Sequence, residues 1–319
     1  MAISLFHIIL SILSFSFVLS LQKSANRTVY DKETANDEFL AALIDRLWLR
    51  YSARVRHVQY TESILNDMIK DHIAFRSIGG IHKIAPIFEA LGYEARGCYN
   101  FPGKHLSAIH YEHRSNDQMP KLFISELKAH ELDVTARNLI RGALKSQRND
   151  LGMEILATLR ENPTPDLLEV LVHYFETLPW DPPSQQEVEA LNQYSQYASW
   201  VLAYGYRVNH FAILVSPPET LESLQTKLIH VGIPMKSSIE GAIGSKLRQT
   251  ATEAVVSVVE VVGNDGNLTS MEWPYAYLEF AERNLVDGTR FEGFLGPQAT
   301  ELFEMTKQKE VIEQRDDEL

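Results

Sequence analysis

The chain has 319 residues, 45% hydrophobic and 23% charged, which is enough to bury a substantial core and is compatible with two domains or one large α+β domain. A formal net charge of −12 without a strongly basic stretch excludes a nucleic-acid surface, because duplex binding neutralises phosphates with clustered Lys and Arg. An acidic ligand would therefore need a local cationic pocket. The single cysteine, Cys98, excludes an intramolecular disulfide and a Cys-rich zinc site, and it reads as a small semi-buried side chain.

Residues 2–20 are apolar apart from serines and His7. They read as the core of a signal peptide or a short anchor, although no Lys or Arg precedes the run, so 1–22 is set aside as a targeting leader. Residues 33–70 carry apolar residues at helical spacing (Phe39, Leu40, Leu43, Ile44, Leu47). A strand-like alternation follows over 72–77 and closes at Gly79-Gly80, and a helix through Ile84, Ile87, Phe88 and Leu91 stops at Gly92. Residues 104–113 and 121–125 read as two more strands.

Helix formers dominate 127–200, broken at Asn162-Pro163 and again between Pro179 and Pro183. Strand signals return at 208–215, a helix passes through Leu221, Leu224 and Leu228, and 253–262 is strongly β-branched. An aromatic strand is predicted over 273–282. The plan is one catalytic domain over 33–306, with β-rich halves at about 70–126 and 204–295 around a helical insertion at about 127–200. Residues 307–319 form an acidic tail whose end, Asp316-Asp317-Glu318-Leu319, is a loose variant of the Lys-Asp-Glu-Leu retention signal. The two ends together predict the secretory pathway and the endoplasmic reticulum lumen, with plastid or cytoplasm as alternatives. No membrane contact is expected beyond the leader.

Period-two alternation puts His72, Ala74 and Arg76 on one strand face and Ile73 and Phe75 on the other, packed under the following helix. His210 shares its face with Val208, Ala212 and Leu214. Glu279 shares a face with Tyr275 and Tyr277, where a carboxylate is costly unless paired, hydrogen-bonded or bound to metal. Two imidazoles and a carboxylate from separate strands can form the facial set that leaves open positions on iron(II). Other arrangements compete. Each His could be an ordinary hydrogen-bonded strand residue, Glu279 could pair with Arg283 or Arg76, and His105, His110 and His113 form a group of their own with Glu112. Spacing alone does not choose among them.

Several segments resemble one family. They are Asp71-His72-Ile73-Ala74-Phe75-Arg76, Val208-Asn209-His210-Phe211, Leu247-Arg248-Gln249-Thr250, Tyr277-Leu278-Glu279-Phe280-Ala281-Glu282-Arg283, Phe291-Glu292-Gly293-Phe294 and Leu302-Phe303-Glu304. In this order, from about residue 47 to 306, they are similar to the 2-oxoadipate dioxygenase/decarboxylases, also called D-2-hydroxyglutarate synthases. The chain is shorter than the bacterial members, and residues 295–298 depart from the family pattern. The resemblance implies an α+β fold of vicinal-oxygen-chelate type, a curved β-sheet enclosing a metal site. It implies Fe(II) held by His72, His210 and Glu279, and Arg76 on a substrate carboxylate. The implied partners are a small 2-oxo acid and O2, converted to a 2-hydroxy acid one carbon shorter with release of CO2, as a step of lysine catabolism.

Arg76 starts roughly 13 Å from the backbone of His72 at ~3.3 Å per residue, a gap that a six-carbon dicarboxylate and an Arg side chain can bridge. Its guanidinium can grip both oxygens of a carboxylate and stays charged. Ser245, Arg248 and Gln249 are further candidates for the polar lining. The rival readings are another metal-dependent dioxygenase, lyase or isomerase of the same fold, and a non-catalytic binding protein that keeps the fold.

Overall fold

The computed structural model describes residues 29–65, 67–148 and 151–296. The expected leader, the acidic tail and its retention-like end lie outside these residues. Helix α1 (Val29–Ser52) buries Phe39, Leu40, Leu43, Ile44, Leu47 and Tyr51 along one stripe, and the short α2 (His57–Glu62) leads into β1 (Lys70–Ile78). The turn after β1 needs its two glycines. Gly79 has φ +59°, and a Cβ on Gly80 would come within 2.7 Å of Ser77 Cβ. Helix α3 (Ile81–Ala90) then packs back on the sheet, where Phe88 meets Phe75 at 5.7 Å between ring centroids. Ile73 and Phe75 thus form the buried underside of β1, as alternation predicts.

Strands β2 (Tyr93–Phe101), β3 (Leu106–His113) and β4 (Lys121–Leu127) complete the first half. Five helices follow: α4 (Val134–Ala143), α5 (Met153–Glu161), α6 (Pro165–Glu176), α7 (Gln185–Tyr194) and α8 (Gln196–Tyr204). A reciprocal capping box between Ser184 and Glu187 starts α7, and α8 is buried along its length from Tyr197 to Tyr204. The second half comprises β5 (Val208–Leu214), α9 (Leu221–His230), β6 (Leu247–Ala251), the hairpin β7 (Val256–Val262) and β8 (Leu268–Pro274), and β9 (Glu279–Arg283).

The main sheet has seven strands in the order β2-β3-β4-β1-β5-β9-β6. Each half begins with a strand (β1, β5) that pairs in parallel with the last main strand of its own half (β4, β9), and the halves join where β1 and β5 run antiparallel. The result is a curled mixed sheet with helices, of vicinal-oxygen-chelate type. Among the described residues no helix is long and apolar enough to cross a membrane.

Three sequence expectations change. The aromatic strand predicted over 273–282 is two strands. Pro274 ends β8, and residues 275–278 cross from the hairpin to the main sheet before β9 begins. Strand β2 went unpredicted because it is an outer strand with Glu94, Ala95 and Arg96 all exposed, which erases the period-two signal. Cys98, on that strand, is exposed rather than semi-buried.

Candidate metal centre

His72 on β1 and Glu279 on β9 both stand opposite Ala212 of β5, one on each side. The three positions form a row across adjacent strands spaced about 4.8 Å apart, and the small central residue leaves room between the longer side chains. His210, two residues before Ala212 on the same strand face, closes the triangle. His72 Nε2 lies 3.4 Å from Glu279 Oε1 and 3.4 Å from His210 Nε2, and His210 Nε2 lies 3.1 Å from Glu279 Oε2. All three residues are buried and offer ligand atoms within 4.8 Å of one another.

A bulge precedes each histidine. The β1–β5 register passes from Lys70↔Ile213 to His72↔Ala212, making Asp71 an extra residue on β1. It passes from Ala74↔His210 to Phe75↔Val208, making Asn209 the extra residue on β5. A bulge lets neighbouring side chains share a face. Here each extra residue turns toward its histidine. His72 Nδ1 donates to Asp71 Oδ2 at 2.8 Å, and His210 Nδ1 donates to Asn209 Oδ1 at 3.0 Å. With Nδ1 holding the proton, each Nε2 presents a lone pair to the centre.

The electrostatics suit a cation. Burial lowers the His210 pKa and keeps the ring neutral. Burial opposes the charge on Glu279, and positive charge at His210 and His72 is what holds the carboxyl below its ordinary range; between neutral rings a bound cation would supply that charge. Gln249 Nε2 donates to Glu279 Oε1 at 2.5 Å, while the buried Oε2 accepts no hydrogen bond. Two imine lone pairs and an unsatisfied carboxylate oxygen converging at such range repel one another unless a positive ion lies between them. The donor set, two imidazoles and one carboxylate, fits a divalent first-row metal. Behind His72, Asp71 is gripped by Arg283 through Nε–Oδ1 at 2.6 Å and Nη2–Oδ2 at 2.9 Å.

The surrounding cavity encloses about 30 Å³ and is lined by Arg76, Asn209, Gln249, Ser125, Tyr277 and Phe294 beside the three ligands. Arg76 is 1% exposed, with its guanidinium carbon 5.1 Å from the Tyr197 ring and 5.4 Å from the Trp200 ring, both on α8. The helical segment between the halves therefore builds the socket of the cavity's arginine. Tyr277 stacks on His210 at 4.6 Å and 26°, and Phe294 meets His72 edge-on at 4.9 Å.

The structure brings together His72, His210, Glu279, Arg76 and Gln249. It does not bring Ser245 or Arg248 to the cavity. Consecutive strand residues face opposite ways, so Gln249 inward sends Arg248 outward, where it pairs with Glu222 and Glu282. Ser245 precedes β6 and donates to Leu247 O at 3.0 Å. His105 pairs with Glu131, His110 lies between Tyr99 and Glu112, and His113 contacts Leu91 O, all away from the three ligands. Sequence reasoning gave no role to Asp71, Asn209 or Phe294. The shared Asx-His pair at 71–72 and 209–210 is the signal that could have found the first two.

A family model described as 2-oxoadipate dioxygenase/decarboxylase matches residues 25–313. An Arabidopsis thaliana protein named 2-oxoadipate dioxygenase/decarboxylase, chloroplastic, is 28% identical over 276 residues, covering 76% of this chain and 69% of that protein. The crystal structure of the Oryza sativa hydroxyglutarate synthase in complex with 2-oxoadipate matches with a TM-score of 0.70 at 23% identity, over 86% of this chain and 93% of that one. A glyoxalase-superfamily protein from Ralstonia eutropha matches with a TM-score of 0.74 at 21% identity, over 86% and 91%. These structural likenesses carry the fold. With the family model spanning nearly the whole sequence, the chain belongs to the 2-oxoadipate dioxygenase/decarboxylase family, a family of enzymes.

Proposed function

We propose that the chain is an iron(II)-dependent enzyme that takes 2-oxoadipate and O2 to D-2-hydroxyglutarate and CO2. The observation that carries this reading is one buried cavity holding both a His-His-Glu set and an arginine. The name of the Arabidopsis relative and the 2-oxoadipate bound to the rice protein favour the same substrate. A place in lysine catabolism follows from that substrate. The chloroplast in the relative's name favours the plastid over the secretory pathway as the site of action.

His72, His210 and Glu279 would hold the ion, which supplies the oxygen chemistry when bound. Asp71 and Asn209 fix the tautomers of the two rings, and Gln249 fixes the carboxylate. Arg76 binds the distal carboxylate of the oxo acid, its fork held between Tyr197 and Trp200. Phe294 and Tyr277 keep bulk water off the ligands. The cavity volume of 30 Å³ holds roughly one or two waters. Phe294, carried by a loop rather than by the sheet, is the wall that would have to turn aside to admit a six-carbon acid.

The test is anaerobic loading with ferrous ion and an oxygen-uptake screen across C4 to C7 2-oxo acids. O2 uptake matched by CO2 release, strongest with 2-oxoadipate, is the expected result. CO2 release without O2 uptake would make the protein a lyase, and binding without turnover would make it a binding protein.

A further inference from the structure

Asp71 and Asn209 sit at equivalent bulges and accept from equivalent ring nitrogens, yet one is an acid and the other an amide. The difference lies in what each faces next. Asp71 uses both oxygens, since Arg283 grips the carboxylate that also holds His72. Asn209 is 1% exposed and lines the cavity, and its Nδ2 makes no hydrogen bond. The amide orientation follows from chemistry: His210 must carry its proton on Nδ1 to offer Nε2 inward, so Asn209 presents oxygen to the ring, and the NH2 of this cavity-lining residue is left as an unused donor. Other lining groups are engaged within the protein. Gln249 donates to Glu279, and the Ser125 hydroxyl bonds to Phe75 O and Tyr197.

We propose that Asn209 is a substrate-binding residue, its amide NH2 donating to a carboxylate oxygen of the bound oxo acid while its amide oxygen holds the His210 ring. The inference rests on the oxo-acid reading given above. An unmet buried donor costs free energy, and an anion in the cavity satisfies it. An acid at 209 would hold His210 equally well but would place a second carboxylate near Glu279 and repel the dianion. The amide is the side chain that serves both neighbours.

Two variants separate the two duties. Asn209→Asp keeps the acceptor for His210 and should bind ferrous ion with close to wild-type affinity in anaerobic equilibrium dialysis. Asn209→Ala adds no charge, and at saturating metal it should bind 2-oxoadipate roughly 10- to 100-fold more weakly by calorimetry without oxygen. Wild-type oxo-acid affinity in metal-saturated Asn209→Ala would overturn the proposal, as would loss of metal binding in Asn209→Asp. Failure of the metal-loaded wild type to bind any C4 to C7 oxo acid would overturn the functional reading, and this inference with it.

Discussion

His72 and Glu279 lie in register on opposite sides of Ala212, so the spacing of three adjacent strands, not a loop, sets the 3.4 Å between His72 Nε2 and Glu279 Oε1. A site carried by hydrogen-bonded strands is held more tightly than one on connecting segments. Phe294, by contrast, comes from outside the sheet and packs on His72 from a loop.

Arg76 is buried among aromatic rings and faces the metal set across one cavity. Arg76→Lys keeps the charge but loses the planar fork and the ring stacking. The expected outcome is a 2-oxoadipate affinity roughly 10- to 100-fold weaker with metal affinity unchanged. Calorimetry on the metal-loaded variant checks it, and an unchanged dissociation constant would remove Arg76 from the substrate site.

Gln249 donates to Glu279 Oε1 and so orients the carboxylate. Groups that orient metal ligands contribute about 10- to 100-fold to metal affinity. Gln249→Leu should weaken metal binding by that order in competition with a chelator. Wild-type retention would show that the strand alone orients Glu279.

Asp71 and Arg283 form a buried pair behind His72. Burial pushes the Asp71 carboxyl upward, but the Arg283 charge and the bonds to Arg283 and His72 outweigh it and hold it well below the ordinary carboxylate range. A carboxyl whose folded pKa is depressed stabilises the fold fully above its unfolded value, about 4, and loses that contribution as pH falls toward the folded value. Metal-free wild type should therefore lose Tm on acidification below about pH 4 more steeply than Asp71→Asn. Asp71→Asn should also be less stable at neutral pH by about 3–5 kcal/mol, since it strands the Arg283 charge. Parallel Tm curves against pH would contradict this account.

Arg248 points out of the cavity and pairs with Glu222 and Glu282. Arg248→Ala should leave KM for the oxo acid within about twofold, the small effect expected of a partly exposed ion pair. A large rise in KM would return Arg248 to the substrate site.

Part of the site was legible because β1 announces its faces by alternation, with His72 and Arg76 opposite Ile73 and Phe75. On β5 alternation put Val208 on the face of His210, whereas the extra residue Asn209 pairs Val208 with Phe75 on the other face. The family motifs then selected His72, His210 and Glu279 from a field of competing histidines. The bulges were not legible, because an extra residue is defined only against a partner strand, so the turning of Asp71 and Asn209 toward their rings could not be read. Arg248 was placed inward beside Gln249 although period-two alternation forbids both. The boundary between β8 and β9 was hidden because four buried residues cross between sheets with the same aromatic character as a strand. The socket of Arg76 was hidden too, since Tyr197 and Trp200 stand more than a hundred positions away in sequence and only the packing of α8 brings them near.

The most direct measurement is anaerobic ferrous-ion binding to the wild type and to His72→Ala, His210→Ala and Glu279→Ala, with folding of each variant checked by circular dichroism. One ion per wild-type chain, and loss of that ion in each folded variant, is the expected result. Full ion binding retained by any one of the three variants would show that those side chains do not share a single cation.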